Sequence, residues 1–311
     1  MRGRFTFLTF VVALLAVSAL LLAGCGDSNL AGGDPSEVSD EEMLREFVDE
    51  DGIFDDLGSY EAGTVAAGGS GSREAIDPLT FWRHVTDRDK NVVVEFDPET
   101  GTADVTINRD IWGVLHILDE DMVEYEKNFH HQGVRYATFV RDPDWQPPES
   151  TPGGGNGNGG DAPGQQHRFR HGPWELTEIS GFVGESDTLT VEFDYVDVQS
   201  ATADITIDDP LDLLTVPDEI PAFQVGEEVT VTVYGAPDDA ILFLHTRFWK
   251  SPFEPQGDGT FVGSWTVERP GRHCAWIEGL AHDTIYDSEY PEDSLVWGMP
   301  YVVEGDPEEI E

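Results

Sequence analysis

The chain has 311 residues, of which 62 are Asp or Glu and 17 are Lys or Arg, giving a formal charge of −45. Nucleic-acid binding relies on clustered Lys and Arg, and only three lysines are present, so that function class is excluded. Two cysteines exclude a disulfide scaffold and any multi-Cys metal centre, while 39% hydrophobic residues suffice for packed cores in about two domains.

Residues 1–24 contain no acid. Arg2 and Arg4 precede an almost unbroken apolar run from Phe5 to Leu22, long enough to mimic a membrane span. The run ends in Leu22-Ala23-Gly24-Cys25, which resembles the lipobox of bacterial lipoproteins. The resemblance implies that 1–24 is a removed signal peptide and that Cys25 is lipidated, with palmitate among the acyl chains. It also implies export to the bacterial cell envelope, with the lipid on Cys25 anchoring the protein to the membrane. Loss of Arg2 and Arg4 leaves 15 basic against 62 acidic residues, a charge of −47. Cys274 is then the single remaining thiol. On a strand His273 faces away from it, so Cys274 reads as a small buried hydrophobe rather than a nucleophile.

Residues 25–38 read as a flexible tether. Ser39 and Glu42 form a capping box that opens a helix through Met43, Leu44, Phe47 and Val48 and ends near Gly52. After the Gly/Ser-rich stretch from Gly63 to Ser72, Asp77 and Pro78 start a second predicted helix carrying Leu79, Phe81, Trp82 and Val85. Period two then takes over: Val92, Val94 and Phe96, a turn at Asp97–Gly101, and Ala103, Val105 and Ile107 on the next strand. Ile111 to Leu118 is apolar on both faces, Asp119 to His131 suggests a short helix, and strands follow over 134–141, 174–182 and 189–195. The Pro/Gly/Asn-rich segment 143–166 reads as a disordered insertion in a hairpin. A linker is expected at 206–217, short strands at regular spacing over 218–304, and an acidic tail at 305–311.

The segment 77–85, the strand Ile111-Trp-Gly-Val-Leu-His116 and the pair 135–141 and 174–180 resemble the NTF2-like (cystatin-cone) superfamily over residues 39–205. Gln224–Val233, Gly257–Trp265 and Gly271-Arg-His273 are similar to bacterial Ig-like domains. These resemblances imply an α+β protein: N-terminal helices packed on a curved antiparallel sheet, followed by an all-β Ig-like sandwich. They also imply a cone-shaped pocket, which some NTF2-like members use for isomerase or hydrolase chemistry and many use only for binding.

His116 shares a strand face with Trp112, Val114 and Leu118, and His84 sits two residues beyond Trp82, so the two imidazoles are the candidate bases of such a cone. His167 and His171 on a strand stand about 13 Å apart, too far to share zinc. Asp87–Asn91 departs from an EF-hand at Val92 and Pro98. Calcium is a candidate partner through Asp283, Asp287, Glu289, Glu292 and Asp293, and polysaccharide through Trp249, Trp265 or Trp297. No phosphate loop, nucleophile elbow or zincin motif occurs, and no cofactor is implied. The dispersed acidity suggests a halophilic source. Together these features favour a non-catalytic, lipid-anchored binding or interaction module, with an enzymatic cone and a glycan-binding surface as alternatives.

Overall fold

Strands of unusual length organise the molecule. The computed structural model describes residues 39–55, 57–58, 60–61, 78–145, 172–247 and 249–305. The lipobox with Cys25, the tether, the glycine-rich stretch 63–72, residues 146–166 of the hairpin insertion, His167, His171 and residues 306–311 lie outside them. The chain opens with helix α1 (Asp40–Glu50) and a 3-10 turn (Gly52–Phe54). Strands β1 (Tyr60–Glu61), β2 (Pro78–Asp97), β3 (Thr102–Asp119) and β4 (Glu124–Arg141) follow. Then come β5 (Trp174–Ile179), β6 (Phe182–Ser186), β7 (Tyr195–Gln199), β8 (Asp204–Ile207), β9 (Leu214–Thr215), β10 (Ala222–Gln224) and β11 (Glu228–Tyr234). The rest is β12 (Ile241–His245), β13 (Lys250–Pro252), β14 (Glu254–Gly257), β15 (Thr260–Thr266), β16 (Gly271–Leu280), the short helix α2 (His282–Tyr286) and β17 (Ser294–Glu304).

Two sheets result. The larger runs β1-β2-β3-β4-β6-β17-β16-β12-β13, and the smaller runs β14-β15-β11-β7-β8. The smaller sheet covers one face of β12, β16 and β17 across a core that includes Val198, Val231, Trp265, Ile277 and Trp297. On the larger sheet, α1 and the 3-10 turn pack Leu44, Phe47, Ile53 and Phe54 against Val105, Ile107, Phe139 and Ile179.

This architecture corrects the α+β expectation. The helix expected from Asp77 is instead the start of β2, and the one expected within Asp119–His131 is a tight turn followed by β4. Aromatic and β-branched residues such as Thr80, Phe81, Trp82 and Val85 suit a pleated strand, and register pairing with β3 from Pro78 to Asp97 decides the outcome. Only α1 survives of the expected N-terminal helices. The protein is mostly β, so neither the NTF2-like arrangement of packed helices nor the division into two folds describes it. Strands from both sides of residues 206–217 share both sheets: β6 pairs with β17 and β7 with β11. Asp40–Glu311 accordingly forms one compact unit. The short strands expected beyond residue 218 do occur, at β11, β12, β15, β16 and β17. Among the described residues no helix is long and apolar enough to cross a membrane.

Glu227 ties the loop after β7 to the turn before β11. Its carboxylate accepts from the Thr202 amide and hydroxyl, both at 2.8 Å, and from the Gln224 amide at 2.7 Å. Partial burial pushes this carboxyl up, but the amides of Gln224 and Thr202 and the hydroxyls of Ser200 and Thr202 outweigh it and draw it down to about 2. A carboxyl depressed on folding contributes stability that is complete above its unfolded value and is lost as pH falls through the folded one. Glu227→Gln is expected to cost about 1–2 kcal/mol in urea unfolding at neutral pH. The difference from the parent should narrow steadily as pH is lowered from 4.5 towards 2.

Candidate functional site

β2 and β16 are five steps apart in the large sheet, about 24 Å if it were flat. Arg83 on β2 nevertheless donates to Glu278 on β16 at 2.6 Å, and Phe81 packs edge-on against Phe243 of β12 with ring centroids 5.4 Å apart. The sheet therefore curls until its two ends meet. A chain of buried polar groups crosses the inside of that curl. Glu278 accepts from Arg83 and pairs with the His245 imidazole at 3.2 Å, and Arg83 Nη2 lies 3.0 Å from His131 Nδ1. His131 Nε2 lies 2.9 Å from Glu292 and 2.7 Å from the Ser294 hydroxyl. Because a guanidinium only donates, His131 Nδ1 accepts and the ring carries its proton on Nε2, which donates to Glu292. The arrangement is not that of a hydrolytic triad: serine and acid share one ring nitrogen, and every member is buried. Burial pushes the Glu292 carboxyl up, but His131, Arg83 and Ser294 together hold it below its ordinary value. Burial drives the His245 imidazole below 6.5, against the pull of Glu278.

His245 also forms part of the wall of a cavity of about 600 Å³, where β2 and β3 approach β12 and β13 under α1 and the 3-10 turn. Five of the 17 basic residues of the chain line it: Arg88, Lys90, Arg109, Arg247 and Lys250. Among the described residues only two carboxylates do so, Asp49 and Asp55. Lys90 pairs with Asp49, and Arg247 approaches Asp55 at 3.8 Å. Among the described residues the Arg88 guanidinium has no ion pair. Burial, then the Arg109 charge, push Lys90 down to about 8. The floor holds Cys274 and Trp276. Behind it stands Arg135, which is buried and donates to Cys274 Sγ at 3.2 Å and to the Ile53 carbonyl.

Of the residues singled out from sequence, Trp249, His273 and Cys274 line the cavity and the others fall elsewhere. His116 and His84 sit on the outer face of the large sheet, where His116 stacks on Trp82 at 4.9 Å, and neither lines the cavity. The face of β3 that turns inward is Ile111, Leu115 and Ile117. His116, Glu124 and Glu126 do bring three donor atoms within 4.8 Å of one another, a spacing that suits one divalent cation. The five acids considered for calcium do not converge. Glu292 faces His131, and Asp293 accepts from Thr190 and Tyr290. Beside them the Lys127 ammonium fills a cup of carbonyls from Asp283, Thr284 and Asp287, at 3.4, 2.6 and 2.6 Å. Trp265 and Trp297 are core residues, whereas Trp249 is half-buried and lines the cavity. Cys274 is buried as expected. His273 bonds back to the Arg269 carbonyl at 3.0 Å.

The cavity itself was not foreseen, because its cations come from distant segments. The one signal in the sequence was the scarcity of lysine: two of the three lysines lie here. No family model and no curated protein matches the chain.

Arg83→Met alone strands the Glu278 carboxylate and should cost about 3–5 kcal/mol, while Arg83→Met with Glu278→Leu should cost less than either single change, as read from a double-mutant cycle in urea. The unfolded chain protonates His245 near pH 6.5 and the folded chain resists, so stability is complete above that value and declines as pH falls below it. In His245→Gln that early decline should be shallower, as followed by Tm against pH.

Proposed function

We propose that the protein is a non-catalytic, lipid-anchored binding protein of the bacterial cell envelope that holds a small anionic ligand in the cavity between β2–β3 and β12–β13. The observation that carries this reading is the local inversion of charge: among the described residues five cationic side chains against two carboxylates, in a chain of net charge −45. Gathering like charges costs free energy, which a bound anion relieves. A volume of about 600 Å³ suits a ligand of a few hundred daltons. The half-buried Trp249 ring offers a flat apolar wall beside the cations, so carboxylated sugars are among the anions that fit. The anchor rests on the Leu22–Cys25 lipobox. An enzymatic role for His116 or His84 gains no support from this cavity, since neither lines it.

Calorimetric titration of the detergent-solubilised full chain with citrate, glucuronate and phosphate, with glucose as neutral control, tests the reading. At least one anion should bind while glucose does not, and affinity should fall about tenfold, roughly 1.4 kcal/mol, with Arg88→Gln or Arg247→Gln. Equal binding of glucose, or indifference to both substitutions, overturns the proposal. Cys25→Ala should abolish palmitate incorporation and membrane partitioning in a bacterial host.

A further inference from the structure

One wall residue differs in kind from the guanidinium groups around it. Lys250 on β13 lies directly opposite His245 of β12 in the strand register. Its ammonium rests on aromatic rings, 4.7 Å from the centroid of Phe243 and 5.9 Å from that of Phe81. Behind His245 stands the fully buried Glu278, whose carboxylate is shared between His245 and Arg83. The cavity wall therefore presents, side by side, a lysine, an imidazole fixed by a buried carboxylate, and guanidinium groups suited to an anion. These are the parts needed to capture a carbonyl compound covalently.

Resting on the anion-binding reading above, we propose that the cavity takes a carbonyl-bearing anion, a 2-oxo acid being the simplest, and that Lys250 condenses with it to form a reversible imine. The neutral Nζ attacks the carbonyl carbon; a C–N bond forms as the C=O π pair moves to oxygen. His245 passes both amine protons in turn from nitrogen to that oxygen, the first giving the carbinolamine and the second letting the oxygen leave as water as the nitrogen lone pair closes the C=N bond. One water is released, nothing is oxidised, and hydrolysis returns the ligand unchanged. The neutral amine is within reach near physiological pH, since burial pushes Lys250 down to about 8 with Glu278 opposing. Lys90, also on the cavity wall and likewise pushed down to about 8, has its Nζ engaged by Asp49. Lys127 is engaged by three carbonyls away from the cavity.

With only three lysines in the chain, the test is unambiguous. The detergent-solubilised full chain is incubated with pyruvate and sodium borohydride, which reduces any imine to a stable secondary amine, and the adduct is mapped by peptide mass spectrometry. Labelling at Lys250 is expected to exceed that at Lys90 and Lys127 by about tenfold, and to exceed labelling by the neutral ketone acetone. Lys250→Arg should lose the adduct, with Lys250→Met as a second variant. Even labelling of the three lysines, labelling centred on Lys90, or equal labelling by acetone overturns the proposal. If citrate or glucuronate binds and pyruvate leaves no adduct on Lys250, imine formation falls and the anion-binding cavity stands. If no anion binds, both fall.

Discussion

An arginine on β2 can reach a glutamate on β16, five strands away in sheet order, only when the sheet between them closes on itself. Glu278, Arg83, His131 and Glu292 are each buried, and each depends on its neighbour in the chain for a hydrogen-bonding partner. A flatter sheet would leave a carboxylate and a guanidinium separately desolvated, at a cost of several kcal/mol each, whereas the curled one pairs them, with Arg83 Nε and Glu292 Oε2 still lacking a hydrogen-bond partner among the described residues. The network therefore acts less as a source of stability than as a selector of one curvature. The Arg83 guanidinium lying 4.0 Å over the Phe129 ring fixes its plane within that curl. Gly113 makes room for this stack: a Cβ there would stand 2.3 Å from both the Phe129 ring and the His84 carbonyl oxygen.

Curvature has a second consequence at β16 and β17. These strands serve the inside of the curl with one face and the sandwich core with the other: Cys274, Trp276 and Val296 on one side, Ala275, Ile277 and Trp297 on the other. Such strands cannot belong to a separable domain. The chain from β5 to β10 has to thread between the two sheets, and this is why β6 and β7, separated by eight residues, end in different sheets. The cavity forms where the closure is incomplete, between the short β13 edge and the β2–β3 hairpin, with α1 and the 3-10 turn laid across the gap.

How much of this was legible depends on which face each polar residue takes. The capping box at Ser39 and the alternation in β11 and β15 announced their elements, because the inward positions there are apolar. In β2 and β4 the inward positions include Arg83, Lys127, His131 and Arg135. Period two is present, but charge hides it, and the apolar residues left over at 79, 81, 82 and 85 imitate a helix. The same concealment misplaced the site. His116 and His84 attracted attention as histidines on a patterned face, yet that face looks outward, while the histidines that line the cavity, His245 and His273, sit among residues with no motif spacing. No local pattern reports a site assembled from α1, β2, β3, β12 and β13.

The contrast between the acidic exterior and the cationic cavity sets how salt acts on any anion that enters. At low ionic strength the negative field of the whole chain extends tens of ångströms and slows the approach of an anion, the reverse of electrostatic steering. Near molar salt the screening length falls to about 3 Å, so the long-range repulsion vanishes. Contacts inside the cavity are separated by less than that length and are partly shielded from solvent, so they are weakened far less. Salt should thus act oppositely on association and on contact, and a chain of this composition would meet an anionic ligand best in concentrated salt. The same screening relieves the mutual repulsion of the surface carboxylates, which ties the stability of the fold and the occupancy of the cavity to one solution variable.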